Sequence, residues 1–294
     1  MRKLTSRTQG ILWEVNAALV FTVLTFLVKT AKSEFPTPFI AFMRTILGTC
    51  LVVPFALVKG IERPKRHLIV WYLLRSLAGV GALNAIFYSY GHLPHSIATA
   101  ISYMEPMIGF ILSIIFFKVS IGWKQWFYML LGYGGVFVIA YMEYYKEGGE
   151  FSVEPILIAL AGCLLLSIVK AVTQHLTRHE PVHQVLFYSS ILNCFFSLFV
   201  VHGSSCFPSS WPSLPMMGLL CGIAFFGILT QYSFSKAVSL TSMHIIGPIT
   251  YLRLIFSLPL AYFIYGEATS WPVLVGSVII IVANYFLLLS LDKK

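Results

Sequence analysis

The chain has 294 residues, of which 58% are hydrophobic and only 11% charged. Water-soluble domains carry about 25% charged residues, so this composition excludes an ordinary soluble protein and points to membrane helices. The net charge of +9 raises nucleic acid as a partner, but the basic residues cluster in short loops, where they read as topology bias and attraction to anionic lipid.

Ten apolar runs can be traced, at residues 10–29, 38–58, 68–91, 97–117, 123–142, 155–175, 184–202, 214–238, 245–265 and 272–291. Each is close to the ~20 residues that a hydrocarbon core requires. Arg2, Lys3 and Arg7 precede the first run, which is too long for the apolar part of a signal peptide. The linkers hold Pro36, Pro94, Pro181 and the Gly148-Gly149 pair, and none has room for a soluble domain. With the N-terminus inside, the inner segments carry Arg2, Lys3, Arg7, Lys59, Arg63, Lys65, Arg66, Lys118, Lys124, Arg178, Lys236, Lys293 and Lys294. The outer segments carry Lys29, Lys32 and Lys146, together with the acidic residues Glu143, Glu147, Glu150 and Glu154. Both termini are therefore expected in the cytoplasm.

An odd number of spans per half inserts the second half upside down relative to the first. Sliding the chain by 146 places Ser89 on Ser235, Ser96 on Ser242, Phe110 on Phe256 and Phe117 on Phe263. The expected fold is an all-α membrane protein of ten transmembrane helices in two inverted five-helix repeats, at residues 1–149 and 150–294.

Polar residues inside the spans carry the candidate chemistry. The first span holds Trp13 and Glu14, one turn from the inner surface; Glu14 suits either an interfacial position or a site for an aromatic cation. The third holds Gly81, Asn84 and Tyr88 on one face. The fourth sets Ala98, Ser102, Glu105 and Gly109 at helical spacing, with Tyr103 beside them and Pro106 breaking the backbone ladder. A carboxylate at that depth suits a substrate or proton site, with an ion pair to a neighbouring helix as the alternative. Lys170 in the sixth span either snorkels to the inner surface or holds a substrate carboxylate. The ninth span has Gly247-Pro248, Tyr251, Arg253 and Pro259, with Thr250, Arg253 and Ser257 on one face. Arg253 can grip a carboxylate with its fork or neutralise Glu105. Arg75 and Arg44 lie within the third and second spans, as snorkelling or paired residues.

No HExxH pattern, phosphate-binding glycine loop or Ser/His/Asp set is present, and the five cysteines lack metal-ligand spacing. No enzyme activity, metal or cofactor is expected. The partners expected are a small-molecule substrate and the bilayer, with no nucleic acid, and the chain is expected as a monomer or weak homodimer.

Ten spans, short loops and the Tyr-Gly-Glu at Tyr265–Glu267 resemble the EamA branch of the drug/metabolite transporter superfamily. Leu73–Ser76, Tyr88–Gly91, the Trp123-Lys124-Gln125-Trp126 opening, Tyr251-Leu252 and Ala261–Glu267 are similar to stretches of the S-adenosylmethionine uptake carriers of obligate intracellular bacteria. The chain departs from the pattern at Val119, where no glutamate matches Glu267, and at Arg253, where an acidic or neutral residue is expected. The resemblance implies a cavity lined by spans one, three, four, six, eight and nine, in a bacterial inner-membrane carrier of S-adenosylmethionine or a similar amphipathic metabolite, working by alternating access. Proton coupling through Glu105 and exchange for S-adenosylhomocysteine both remain open, as do an exporter of amino acids or related metabolites and a non-transporting receptor or scaffold. The substrate-binding residues expected are Glu105, Tyr103, Ser102, Asn84, Tyr88, Tyr251, Arg253, Glu14, Trp13 and Lys170.

Overall fold

Apolar runs bounded by proline, glycine and serine fold into helices because every backbone polar group must find a partner within the segment. The computed structural model describes residues 5–92, 101–102, 104–117, 122–146, 153–204, 212–253, 256, 260, 263 and 271–292. Among these, every regular element is helical: α1 (Ser6–Ala31), α2 (Thr37–Lys59), α3 (Ile69–His92), α4 (Glu105–Phe117), α5 (Trp123–Lys146), α6 (Val153–Thr177), α7 (Val182–Ser204), α8 (Leu214–Leu240), the short α9 (Met243–Ile246) and α10 (Trp271–Asp292). The Thr5 side chain caps α1 by accepting the Thr8 amide at 3.3 Å. Helix α2 stops at Gly60, whose φ of 81° is the left-handed conformation glycine adopts freely.

Six of the described helices are long and apolar enough to cross a membrane. Side-chain placement is the reverse of a water-soluble protein. Leu57, Val58, Phe137, Phe199, Phe225 and Val278 face outward, while Glu14, Arg75, Glu105, Lys170, Gln174 and Glu180 are buried. An apolar exterior of this extent fits lipid, and the polar groups turn inward where they can pair.

The helices pack in antiparallel couples. α1 lies along α8, where Asn16 donates to Ser233 Oγ at 2.8 Å. α3 runs against α6, where Arg75 Nε donates to Thr173 Oγ1 at 2.8 Å and Tyr88 reaches Glu154. Arg75 is thus buried and bonded, not snorkelling. α5 lies against α10 and α2 against α7, while α2 also runs parallel to α8, with Gly48 near Ile228 and Phe55 near Tyr232. α4 likewise runs parallel to α6: Cys163 Sγ donates to the Ile101 carbonyl at 3.3 Å, and one turn later Ser167 Oγ donates to the Glu105 carbonyl at 2.9 Å.

Two spans differ from the continuous helices expected. The run at 97–117 is interrupted by a turn at Met104, and α4 starts at Glu105. Pro106 therefore occupies the first helical turn, where its missing N–H leaves no intrahelical bond unmade. The run at 245–265 begins as α9 and tightens into a 3-10 turn at Gly247–Tyr251, with Pro248 in its first positions. Ser257 and Pro259 lie outside the described residues.

Close helix contact depends on glycine. A Cβ on Gly135 of α5 would stand 2.8 Å from the Gly276 carbonyl oxygen and 2.9 Å from Ile280 Cγ1. Gly134, one residue away, has nothing within 4 Å. Gly135→Leu is expected to destabilise the purified protein by roughly 1–3 kcal/mol through overpacking, while Gly134→Leu is expected to be close to neutral. Thermal unfolding in detergent checks this, and equal losses at the two positions would refute the packing account.

Candidate functional site

Four elements meet at the centre of the bundle: α1, α4, α6 and the 3-10 turn after α9. Each brings a polar side chain. The Glu105 carboxylate starts α4 and meets Lys170 Nζ of α6 with both oxygens, Oε1 at 2.6 Å and Oε2 at 2.8 Å. Glu14 of α1 is fully buried and accepts from Thr250 Oγ1 of the 3-10 turn at 3.0 Å. Its second oxygen, Oε2, is buried with no hydrogen-bond partner among the described residues. Glu14 is close enough to Lys170, Arg253 and Glu105 to feel all three charges.

Aromatic rings wall this cluster. Lys170 Nζ lies 5.2 Å from the Phe234 ring centroid, and the Arg253 guanidinium lies 3.9 Å from that of Phe21. Trp13 meets Tyr232 edge-on, with centroids 5.7 Å apart. It also packs, as does Phe234, against the buried cluster of Ala237, Val238 and Ile246. Arg253 Nε is buried and has no hydrogen-bond partner among the described residues. Beside the cluster, the Gln174 side chain accepts the Met243 amide at 3.2 Å and fixes the start of α9 to α6.

The structure thus gathers Glu14, Glu105, Lys170 and Arg253 around one centre, with Trp13 at its edge. It corrects the interfacial alternatives for Glu14 and Lys170, since both are buried and bonded within the bundle. The ion pair that stood as the alternative for Glu105 is present, and its partner is Lys170 rather than Arg253 or Arg44. Arg44 instead lies against Gly227 of α8, where a Cβ would come within 2.5 Å of its Nε. Tyr251 is buried, and it shares a small apolar cleft with Pro106, Met107 and Met129. Ser102 is half-buried just before the turn at Met104. Two other candidates have local partners. The Asn84 amide donates to the Val80 carbonyl of its own helix at 2.8 Å. Tyr88 stacks on His92 and reaches Glu154, which places it about 24 Å along α6 from Lys170 at 1.5 Å per residue. Tyr103 lies outside the described residues.

Phe21, Phe234 and Thr250 were not among the candidates, though the sequence held a signal for two of them. Phe21 follows Glu14 by seven residues and Arg253 follows Thr250 by three, so each couple shares a helical face. Phe234 carried no such signal in a chain with 24 phenylalanines.

A bundle with polar groups turned inward, broken elements at its centre and an apolar exterior is the architecture of a carrier. A model of the EamA-like transporter family matches residues 8–141 and 154–289. The chain belongs to the EamA-like transporter family, within the drug/metabolite transporter superfamily. It is a multi-pass membrane carrier and not an enzyme. Among similar proteins, one from Rickettsia conorii named "S-adenosylmethionine uptake transporter" is 27% identical over 255 residues, covering 87% of this chain and 83% of its own length. One of the same name from Rickettsia prowazekii is 25% identical, covering 97% of this chain and 94% of its own length. The "Pseudopaline exporter CntI" of Pseudomonas aeruginosa is 24% identical, covering 93% of this chain and 94% of its own length. A solved crystal structure shares the fold with a TM-score of 0.79 at 16% identity, over 98% of this chain and 99% of that one.

Breaking a buried ion pair by removing one partner costs about 3–5 kcal/mol, since the other charge is left uncompensated. Lys170→Met is therefore expected to lower the thermal unfolding midpoint of this EamA-like carrier sharply, and Lys170→Met/Glu105→Gln to recover most of the loss. A double variant as unstable as the single one would show that the charges do not compensate each other.

Proposed function

We propose that this chain is a secondary carrier of S-adenosylmethionine, working by alternating access around the Glu14–Glu105–Lys170–Thr250 centre, with uptake as its direction. The observation that carries this reading is Glu14 Oε2: a fully buried carboxylate oxygen without a partner among the described residues, in a cluster whose cations Lys170 and Arg253 lie over aromatic rings. Lys170 already compensates Glu105, so Glu14 is the carboxylate suited to receive the substrate's sulfonium or amino group. Arg253, held over Phe21, is suited to the substrate carboxylate through its fork. Trp13 and Tyr232 offer faces for adenine. The names of the Rickettsia relatives support the substrate.

In this reading the ten spans form two inverted five-helix repeats, at residues 1–149 and 150–294, in the bacterial inner membrane with both termini cytoplasmic. Contacts between helices support it. Exchanging each helix for the one five places on turns the α1–α8 contact into α6–α3 and maps α2–α7 and α5–α10 onto themselves. Likewise, the contact of α1 with the 3-10 turn after α9 corresponds to that of α6 with α4. Rocking of one half against the other would then expose the central charges to each side in turn. Exchange of S-adenosylmethionine for S-adenosylhomocysteine would need no ion gradient.

Export of a metabolite is the second reading, favoured by the Pseudomonas aeruginosa exporter at nearly the same identity. Membership in a transporter family leaves the receptor or scaffold alternative without support.

Cells expressing the protein are expected to accumulate labelled S-adenosylmethionine saturably, with competition by S-adenosylhomocysteine. Glu14→Gln is expected to raise the half-saturating concentration roughly 10- to 100-fold, the worth of one hydrogen bond to a charged group. Absence of uptake by correctly inserted protein would reject this substrate, and faster loss of preloaded amino acids from the same cells would establish the exporter reading.

A further inference from the structure

The end of the bundle where α2 and α8 finish and α7 begins holds a cavity of about 270 Å³. Lys59, Thr177, His183, Tyr232, Lys236 and Ser239 line it. Two ammonium groups, an imidazole and the Tyr232 hydroxyl therefore line a volume several times the ~30 Å³ that one water occupies, while Thr177 Oγ1 and Ser239 Oγ donate to the Thr173 and Lys236 carbonyls of their own helices at 2.9 and 2.8 Å. None of its lining residues is acidic. The acid next to its wall, Glu180, directs its carboxylate elsewhere: one oxygen accepts the Tyr72 hydroxyl and the other the Lys65 amide. Topology bias alone would scatter these cations over separate loops, whereas here the chain ends of α2, α6 and α8 and the first turn of α7 bring them to one space.

The walls hold the donors in place. His183 Nε2 lies 3.1 Å from the Gly60 carbonyl, so the ring is tied to the end of α2. Lys59 Nζ lies 4.6 Å from the centroid of the Phe55 ring, which in turn meets Tyr232 edge-on at 6.1 Å. Tyr232 continues inward to Trp13, the neighbour of Glu14. A run of aromatic rings thus leads from this cavity through Tyr232 to Trp13 of α1.

We infer that this cavity is a binding site for the oxyanion end, carboxylate or phosphate, of a small molecule arriving at the basic end of the bundle. The ammonium groups and the Tyr232 hydroxyl supply donors but no competing negative charge, the complement of an oxyanion. The site stands on these residues alone and does not depend on which metabolite is carried. An acidic lipid headgroup presents the same chemistry as a free solute, and the experiment separates the two.

The full-length Ser239→Cys variant in neutral phosphatidylcholine vesicles is treated with sulfonatoethyl or trimethylammonioethyl methanethiosulfonate, and modification at position 239 is followed by peptide mass. The anionic reagent is expected to react faster by about tenfold, the low end of electrostatic focusing in a charged cleft. Inorganic phosphate is expected to slow that reaction saturably, beyond what chloride does at equal ionic strength. Both effects are expected to vanish in the Lys59→Gln/Lys236→Gln background, and Thr177→Cys provides a second reporter if Ser239→Cys folds poorly. Protection that appears only with phosphatidylglycerol present supports the same oxyanion site with lipid as its source. Equal rates for the two reagents, or slowing by phosphate that chloride reproduces together with no protection by phosphatidylglycerol, would overturn the inference.

Discussion

The structure depends on keeping charges inside an apolar bundle. Insertion scales put a single charged side chain at the centre of a membrane helix at about 2.5–3.5 kcal/mol. Glu105 and Lys170 offset that cost for each other, and Ser167 adds a hydrogen bond to the Glu105 backbone. This ties the start of α4 to the middle of α6. Glu14 and Thr250 make the corresponding tie between α1 and the 3-10 turn. The two ties hold the broken elements, where regular helix gives way, against the two helices that cross near the centre. Irregular backbone at membrane depth is tolerated where it is enclosed by protein or faces a cavity, and these breaks are enclosed by α1 and α6.

The two ties differ chemically, and the difference has functional weight. One is a closed ion pair whose charges are mutually satisfied. The other leaves a carboxylate oxygen without a hydrogen-bond partner among the described residues. A carrier needs a site that is stable empty yet gains by binding. In the proposed reading, the compensated pair supplies the first property and the unpartnered carboxylate the second. Arg253, stacked on Phe21, adds a cation whose buried Nε also lacks a hydrogen bond among the described residues.

Much of this was legible in the sequence because membrane segments have a strong signal of their own. Run lengths and the placement of Lys and Arg are set by the bilayer, so they announced a multi-pass helical protein directly. Glu14, Glu105 and Lys170 stood out because ionisable residues are rare within apolar runs. Their pairing was not legible. Glu105 and Lys170 are 65 positions apart and Glu14 and Thr250 are 236 apart, and only helix packing decides which arginine or lysine reaches which acid. The aromatic walls were equally hidden, since a phenylalanine that supports a guanidinium looks like any other in an apolar chain. The break at Met104 was missed for a related reason. Pro106 was visible, but one proline fits both a kinked helix and the first turn of a new one, and the contact of Glu105 with α6 distinguishes them.

The central claim is that solute crosses by binding at Glu14 within a site that opens to one side at a time. Counterflow tests it most directly. Proteoliposomes preloaded with unlabelled S-adenosylmethionine are diluted into a trace of labelled compound. A carrier of this substrate produces a transient internal accumulation of label above its equilibrium level, and Glu14→Gln should abolish that overshoot at the same trace concentration. An overshoot of full height in Glu14→Gln, or none with the unaltered protein in sealed vesicles, would contradict the account.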